Sequence, residues 1–246
     1  MNLTQEYIYS GLSFDSREWM DIERFKGSQY GMLYVLGDTK YRFEKKEYVI
    51  TSPYREHVTL ESETPNYGDL TTSHDYGEGF PETAHLAEGS VETVISLVNA
   101  DGIDTALILS DPQGEALRPA LLNMASPKNP GGKYNIGEKA QEEMIFYRSN
   151  MWAYLDPNGT SGLRDGRGGG EAKFPHYPLP DIGGLHTSGV TFIRGSEPDR
   201  FRLIKPRKTD IVSVAAIKFP KLIDGEYSPS DQEMMYNKIR AILTIA

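Results

Sequence analysis

The sequence predicts an α/β protein in which a sheet is covered by helices on both faces. Short apolar runs without polar alternation occur at residues 120–124, 190–193 and 211–217, as in strands that are buried on both faces. Segments with the helical spacing of apolar residues occur among these runs, as expected when helices pack on a sheet. Together, these two observations predict the α/β fold class.

Residues 1–80 are expected to form a small α/β annex before the main domain. A helix is predicted over residues 17–25, where apolar residues recur on one face. Alternation of apolar and polar residues predicts strands in a hairpin or meander at 30–36 and, after a turn, at 41–50. Residues 64–80 are rich in glycine and small polar residues, which predicts a loop. The inward-facing residues of the first helix are predicted to be Trp19, Ile22 and Phe25.

Residues 81–246 are expected to form the main domain. Ser90 can cap a helix whose apolar residues recur at i, i+3, i+4 and i+7. A short apolar run follows at 106–109, and a later helix should begin near Gly137 and pass Tyr147. The apolar residues of the helix that Ser90 caps are Val91, Val94, Ile95 and Val98.

The last part of the chain predicts two irregular segments and a final helix. Residues 165–170 are rich in glycine and predict a surface loop, and residues 174–184 contain three prolines and should also be irregular. The final helix begins at a capping box, in which Ser230 is followed three residues later by Glu233. Its apolar stripe consists of Met235, Ile239, Ile242, Leu243 and Ala246. An exposed stripe of this kind favours a partner that covers it.

The composition excludes several classes of protein. The net charge is −9, whereas general nucleic-acid binders carry a basic field that engages phosphates. The chain has no cysteine, which excludes disulfides, thiolate nucleophiles and cysteine-ligated zinc. No apolar run approaches the ~20 residues of a membrane span, and the first residues lack the features of a secretory signal. We therefore expect a cytoplasmic protein with no membrane partner and no general affinity for nucleic acid.

One segment carries the candidate chemistry. Asn123 lies on the strand predicted at 120–124, before an Asn-Pro-Gly-Gly turn at 129–132 and a helix with Gln-Glu-Glu at 141–143. Adjacent glycines allow positive φ and let the backbone approach a ligand closely. Amides in such a turn, next to a helix N-terminus, can hold phosphate oxygens.

The adjacent glutamates are candidates for acid catalysis. Consecutive helical residues point about 100° apart, so Glu142 and Glu143 cannot share one environment. One can face the cleft while the other sits at its edge, which would separate their proton affinities. Cleavage of a glycosidic bond needs such a proton donor for the leaving oxygen. Taken alone, a Gly-Gly pair is usually only a turn, and a Glu-Glu pair is usually a solvated helix face.

In combination, these motifs resemble the bacterial-type poly(ADP-ribose) glycohydrolases, which have a macrodomain-like fold. The signature of that family is a glycine triplet followed, after a short spacer, by Gln-Glu-Glu. Here Gly131-Gly132-Lys133 is followed by seven residues and then Gln141-Glu142-Glu143. The likeness is strong over residues 121–150 and moderate over 186–246. It implies a macrodomain-like mixed sheet flanked by helices, preceded by the N-terminal α/β annex.

The resemblance also implies roles for individual residues. Glu143 would be the general acid that protonates the leaving ribose oxygen, and Glu142 would hold hydroxyls of the ribose being cleaved. Water would attack an oxocarbenium-like transition state and ADP-ribose would be released, without a cofactor or a metal. The residues expected to bind the substrate are Asn123, Asn129, Gly131, Gly132, Lys133 and Gln141. The implied partner is ADP-ribose or poly(ADP-ribose) on a modified macromolecule.

Two departures from the family pattern keep a second hypothesis open. Lys133 replaces the third glycine, and its side chain either crowds the loop or places a cation near the diphosphate. In the family, a helix like the final one leads into a strand and a glycine-rich turn that wraps the diphosphate, and residues 81–246 are expected to lack both. The alternative hypothesis is a reader module that binds ADP-ribose without cleaving it.

Other catalytic classes lack a motif in this sequence. The five histidines, at 57, 74, 85, 176 and 186, are scattered without metal-ligand spacing. No Gly-x-Ser-x-Gly nucleophile motif occurs. A phosphate-binding loop is also excluded, because Gly132-Lys133 is followed by Tyr134 instead of serine or threonine.

Overall fold

A mixed four-stranded sheet forms the centre of the computed structural model. The model describes residues 16–51, 55–61, 67–81, 93–110, 118–161 and 174–246. The strands are β3 (Thr71–Asp75), β4 (Ala120–Met124), β5 (Gly183–Arg194) and β6 (Leu203–Val214), in the order β3-β5-β6-β4. β4 is parallel to β6, while β5 is antiparallel to both β3 and β6. The predicted α/β class and the mixed sheet are therefore confirmed.

Six α-helices, two small hairpins and two short 3₁₀ helices, Tyr67–Leu70 and Tyr134–Ile136, complete the described elements. The helices are α1 (Ser16–Lys26), α2 (Ser28–Lys45), α3 (Gly102–Leu109), α4 (Gln141–Arg148), α5 (Met151–Leu155) and α6 (Pro229–Ile245). The hairpins pair β1 (Glu47–Ile50) with β2 (Glu56–Thr59), and β7 (Leu222–Ile223) with β8 (Glu226–Tyr227). Within this framework α4 contacts α2, β4 and β5. The helix that carries the Gln-Glu-Glu motif therefore lies against the end of β4.

The first helix is confirmed, whereas the strands predicted at 30–36 and 41–45 are wrong. Trp19 is buried on α1 and Ile22 packs against the core, as predicted, and the side chain of Phe25 lies outside the described residues. Residues 28–45 form the helix α2, and only 47–50 of this region is a strand. Residues 31–36 of α2 are all buried. A helix that is enclosed on all sides has no apolar periodicity that distinguishes it from a strand.

A buried cluster of charges attaches α2 to the sheet. The Arg42 guanidinium donates to Asp38 Oδ1 at 2.6 Å, and Arg194 of β5 also donates to the Asp38 carboxylate. The Arg194 Nε donates to Thr39 Oγ1 at 2.6 Å, and the Thr39 hydroxyl donates in turn to the Tyr147 carbonyl at 2.7 Å. Asp38, Arg42 and Arg194 are fully buried. The cluster therefore fixes α2 and the C-terminal part of α4 against β5.

Asp38→Ala should lower the free energy of unfolding by about 3–5 kcal/mol, because it leaves two buried guanidinium groups without their carboxylate. Urea unfolding monitored by circular dichroism measures this loss. The matched control is Glu56→Ala, which removes an exposed ion pair with Lys205 and should cost less than about 1 kcal/mol. Equal losses in the two variants would contradict the structural role of the cluster.

A segment of the predicted annex also differs from the sequence prediction. Residues 71–75, predicted as part of a loop, form the edge strand β3 because their backbone pairs with β5. The sheet therefore includes a strand from the predicted annex, and the domain boundary at residue 80 stays a prediction. Residues 106–109 lie in α3, whose first turn is capped by Asp101 through a 2.8 Å hydrogen bond from the Asp104 amide.

The helix predicted around residues 91–98 is wrong for residues 93–98, which form no helix. Val94 and Ile95 are 80% and 92% exposed, so their apolar periodicity has no surface to pack against. Most of the stability of a helix in a protein comes from such packing. Ser90 and Val91 lie outside the described residues, as does the glycine-rich segment 165–170. Of the segment 174–184, residues 174–182 are irregular, as predicted, whereas residues 183 and 184 already belong to β5.

The final helix is confirmed, but its cap and buried face are shifted from the prediction. Ser228, not Ser230, caps α6 by accepting from the Asp231 amide at 3.3 Å. Its buried residues are Lys238, Ala241 and Ile245, whereas Ile239 and Leu243 are 51% and 75% exposed. Ile242 of the predicted stripe does pack against Val212 and Val214 of the sheet, so the prediction is wrong for Ile239 and Leu243 but not for the whole stripe. A partner that covers the exposed side of α6 stays a prediction.

Over the parts of the chain that the structure describes, no helix is both long and apolar enough to cross a membrane. The longest of them, α2, carries fully buried Asp38 and Arg42.

Candidate active site

The turn at residues 129–132 packs on α4 through its two glycines. Gly131 and Gly132 have φ angles of 71° and 58°, in the left-handed region that side chains rarely adopt. A Cβ on Gly131 would lie 2.6 Å from the Phe146 ring, and one on Gly132 would lie 2.4 Å from Glu143 Oε1. Both the backbone conformation and the available space therefore require glycine at these positions.

Glu142 is buried beside this turn, with 5% of its surface exposed. Its Oε2 accepts a hydrogen bond from the Ser126 amide at 2.8 Å, and its Oε1 accepts one from the Gly131 amide at 3.0 Å. Burial, and to a smaller extent the charge of Glu143, raise the pKa of Glu142 to about 8, although the two backbone hydrogen bonds oppose the shift. Glu142 is therefore mostly protonated at neutral pH.

Glu143 holds the other end of the same turn. It is 7% exposed, and its Oε1 accepts a hydrogen bond from the Lys133 amide at 2.9 Å. The expectation that one carboxylate sits at the edge of the cleft is wrong, since both are buried. The glycine turn lies over the N-terminal end of α4. The side chains of Glu142 and Glu143 point about 100° apart, but both therefore reach residues of the glycine turn. The site thus contains two adjacent buried carboxyl groups.

The amides of the glycine turn are occupied by these contacts. Gly131 and Lys133 donate to the two carboxylates, and Gly132 donates to the Asn129 carbonyl at 3.0 Å. The turn therefore does not offer these three amides to a phosphate, contrary to the expectation from sequence. Their role in this arrangement is to fix the carboxylates.

Lys133 does not crowd the turn. Its φ angle is −121°, an ordinary value for a residue with a side chain, and its side chain is exposed. Glycine is therefore not required at the third position of the signature. Of the two interpretations of Lys133, crowding of the loop is excluded by this geometry.

The two asparagines occupy different positions. Asn123 is fully buried at the end of β4, where its Nδ2 donates to Ser213 Oγ of β6 at 3.1 Å. A hydrogen bond from the Asn123 side chain also lowers the pKa of Glu142, so this residue lies at the carboxylates. The side chain of Asn129 is exposed, and its amide donates to Ser126 Oγ at 3.2 Å. The structure therefore places Asn123, but not the Asn129 side chain, among the buried groups.

Gln141 joins α4 to the free edge of β4. Its Oε1 accepts from the Met124 amide at 2.9 Å, and its Nε2 donates to the Leu122 carbonyl at 2.5 Å. These two backbone groups point to the edge of β4 opposite its partner β6. The side-chain amide thus pairs with the strand as the backbone of a neighbouring strand would. Gln141 positions both glutamates through the start of α4.

A cavity of about 490 Å³ opens beside the Pro127 and Lys128 end of the turn. Its remaining lining comes from Ser73 and Asp75 of β3 and from residues 178–181. The Leu179 amide donates to the Pro127 carbonyl at 2.9 Å, which fixes this wall to the turn. Neither the glycines nor the glutamates line this cavity, and no sequence pattern connects β3 or residues 178–181 to the turn. Within the parts of the chain described, no group of acidic or histidine side chains is arranged to hold a metal ion.

Phe146 is a further residue of the site that sequence reasoning missed. Its ring lies under Gly131 and is fully buried. It lies three and four residues after the two glutamates, so it shares their face of α4, and this spacing was the available signal.

Glu142→Gln should change how the free energy of unfolding depends on pH. The unfolded carboxyl titrates near pH 4.3, whereas the folded one has a pKa of about 8. Between these values the folded state binds a proton that the unfolded state has lost, so stability falls with rising pH, by up to about 1.4 kcal/mol per pH unit. The variant has no carboxyl group to titrate at this position. Its free energy of unfolding should therefore rise relative to that of the wild type as the pH increases from 5 to 8.

Urea unfolding at pH 5, 6, 7 and 8 tests this expectation. Glu138→Gln, which changes an exposed glutamate just before α4, is the matched control and should stay parallel to the wild type. A constant difference between Glu142→Gln and the wild type across this range would show that the carboxyl has no raised pKa.

Comparison with known proteins identifies what this geometry resembles. A family model described as the catalytic domain of microbial-type PARG matches residues 37–161, just over half of the 246-residue chain. No curated protein sequence matches the chain significantly.

Solved structures of poly(ADP-ribose) glycohydrolases are similar in fold. The enzyme from Thermomonospora curvata is 17% identical with a TM-score of 0.62, over 85% of this chain and 73% of that chain. The same enzyme bound to the inhibitor ADP-HPD is 18% identical with a TM-score of 0.59, over 85% and 72%. The enzyme from Deinococcus radiodurans in complex with ADP-ribose is 19% identical with a TM-score of 0.50, over 74% and 72%. These likenesses establish the fold.

Proposed function

The chain belongs to the microbial-type poly(ADP-ribose) glycohydrolase family, and from this premise we propose that it hydrolyses the ribose–ribose O-glycosidic bond of poly(ADP-ribose). The observation that carries the proposal is the pair of buried carboxyl groups, Glu142 and Glu143, held by one glycine turn. The two glycines let the turn pack directly on Phe146 and Glu143, which holds the carboxyl pair in place. Cleavage by this pair would release ADP-ribose.

The two carboxyl groups have different roles in the proposed reaction. Glu143 donates its proton to the leaving ribose oxygen as the bond between that oxygen and the anomeric carbon breaks. A water molecule then forms a bond to the anomeric carbon and returns a proton to the Glu143 carboxylate. The hydroxyl group of the water ends on the anomeric carbon, and its other proton ends on Glu143, which is protonated again. The raised pKa of Glu142 keeps one proton on this adjacent pair of carboxyl groups at neutral pH, and in the proposed reaction Glu143 delivers that proton while Glu142 holds hydroxyls of the ribose being cleaved.

The remaining candidate residues support this pair. Asn123 orients the ribose from beneath Glu142, and Gln141 keeps the first turn of α4 on β4. Lys133, whose side chain is exposed at the end of the turn, supplies a cation to the diphosphate. Asn129 shapes the turn through its carbonyl, which accepts from the Gly132 amide. The substrate is ADP-ribose polymer attached to a modified macromolecule.

Two assays on the same preparation test the proposal and separate it from the reader hypothesis. The first is digestion of poly(ADP-ribose), with the released ADP-ribose quantified by chromatography, and the second is calorimetry with ADP-ribose. We expect both release and binding. Binding without release would instead favour a reader module, and the absence of both would reject ADP-ribose as the ligand.

A further inference from the structure

The segment that follows β6 exposes an aromatic ring to solvent. Phe219 is 87% exposed, so its ring contributes little to the core. Its φ angle is 57°, in the left-handed region where a bulky side chain is rare. Neither burial nor a relaxed backbone conformation therefore accounts for a phenylalanine at this position.

Two lysines lie beside this ring. The Lys218 Nζ lies 5.3 Å from the centroid of the Phe219 ring. The side chains of Lys218 and Lys221 are exposed, and neither forms an ion pair with a residue that the structure describes. In a chain of net charge −9, two such lysines form a local positive site that attracts phosphate.

Hydrogen bonds to the start of α6 hold this segment in place. The Lys221 amide donates to Asp231 Oδ2 at 2.7 Å, and the Lys221 carbonyl accepts from the Ser228 amide at 2.8 Å. Further along α6, Lys238 donates to the Asp181 carbonyl at 2.5 Å. Asp181 lines the cavity that opens beside the glycine turn. The segment is therefore attached, through α6, to a wall of that cavity.

The glycine turn and residues 218–221 also leave the sheet at the same end. β4 and β6 are parallel neighbours, and Asn123 lies opposite Ser213 with a 3.1 Å hydrogen bond between their side chains. Phe219 follows Ser213 by six residues, which span at most about 22 Å. Phe219 therefore lies within that distance of the buried end of the site, a reach comparable with one extended ADP-ribose unit.

We propose that residues 218–221 form a platform for the ADP-ribose unit on the leaving side of the cleaved bond. The adenine of that unit stacks on Phe219, and its diphosphate lies beside Lys218 and Lys221. Every unit of the polymer carries one adenine and one diphosphate, so it is complementary to an exposed ring with adjacent cations. This inference rests on the proposed function, and it makes the polymer, and not a single ADP-ribose group on a protein, the preferred substrate.

The ring is tested by steady-state cleavage of poly(ADP-ribose) with the wild type and Phe219→Ala, beside calorimetry with ADP-ribose alone. Loss of the stacked base should raise the KM for polymer by at least about fivefold. The kcat and the Kd for ADP-ribose should change less than about twofold, because the ring does not touch the unit in the cleft. The matched control is Tyr236→Ala, which removes a ring that is 67% exposed on α6 and should leave all three quantities unchanged.

The lysines are tested by the dependence of KM on salt. Replacement of both Lys218 and Lys221 by Gln should raise the KM for polymer and reduce the slope of log KM against log salt concentration by roughly 0.7 per lysine. The matched control replaces Lys205 and Lys208 by Gln, which changes the net charge equally but removes cations that pair with glutamates of the protein itself. Its slope should equal that of the wild type, and an equal reduction in both variants would contradict a contact with the diphosphate.

The possible outcomes separate this inference from the proposed function. An unchanged KM in Phe219→Ala, beside an active wild type, overturns the platform alone. Equal weakening of ADP-ribose and polymer also overturns it, because the contact would not be with the leaving unit. A wild type that does not cleave the polymer overturns the proposed function, and the Kd for the same polymer then tests the platform, since it must be at least about fivefold higher in Phe219→Ala.

Discussion

Glu143→Gln should lower kcat for release of ADP-ribose by about 10²–10⁴-fold, the usual contribution of a general acid, while ADP-ribose binding changes little. Glutamine cannot donate the carboxyl proton that the leaving ribose oxygen needs. Its side-chain oxygen can still accept the hydrogen bond from the Lys133 amide, so the turn keeps its shape. Polymer digestion measures the first quantity, and calorimetry with ADP-ribose measures the second.

Glu142→Gln provides the internal comparison for this result. If Glu142 holds the ribose, its replacement should weaken ADP-ribose binding as well as turnover. Because Glu142 is the carboxyl group with the pKa raised to about 8, it is also the one rival for the acid role. Turnover that persists in Glu143→Gln but disappears in Glu142→Gln, with binding intact, would transfer the acid role to Glu142.

Gly132→Ala should abolish most of the activity by displacing the acid. The added Cβ would lie 2.4 Å from Glu143 Oε1 and 3.2 Å from Glu142 Oε2, so the carboxylates must move. A displacement of about 1 Å can cost about 10²-fold in rate. We therefore expect kcat to fall by at least about 10²-fold, measured in the polymer digestion assay on protein that retains its circular dichroism spectrum.

The control for Gly132→Ala is Gly225→Ala, which has the same kind of backbone strain without the contact. Gly225 has a φ angle of 87°, and a Cβ there meets nothing within 4 Å. Its replacement should cost stability of the order of 1 kcal/mol for the left-handed conformation and leave kcat unchanged. Comparable losses of activity in both variants would mean that strain or instability, and not displacement of Glu143, explains the effect.

The sequence predicted those parts of the fold whose signal is local. The strands β4 and β6, the helix α1 and most of the final helix follow from apolar runs and spacing. The helix α2 could not be predicted in this way, because six consecutive buried residues at 31–36 have neither strand alternation nor a helical stripe. Its enclosure depends on contacts with distant parts of the chain, such as the bond between Arg194 and Asp38.

The residues of the candidate site also divide into those with a local sequence signal and those without one. The signature identified the glycines, the glutamates and Gln141, because their spacing alone brings a turn onto the start of a helix. The motif could not predict the direction of the backbone amides of Gly131 and Lys133. These amides donate hydrogen bonds to the two carboxyl groups and do not face a phosphate. The wall formed by residues 178–181 is attached to the turn by the Leu179–Pro127 hydrogen bond, which leaves no sequence pattern.

The most direct test of the central claim is single-turnover hydrolysis of a defined dimer of ADP-ribose joined by one ribose–ribose bond. The protein is used in molar excess, so that even slow chemistry converts the whole substrate, and the products are separated by chromatography. We predict conversion of each dimer into two molecules of ADP-ribose by the wild type, and an intact dimer with Glu143→Gln. A dimer that binds to the wild type and remains intact would contradict the claim that this carboxyl pair cleaves the bond.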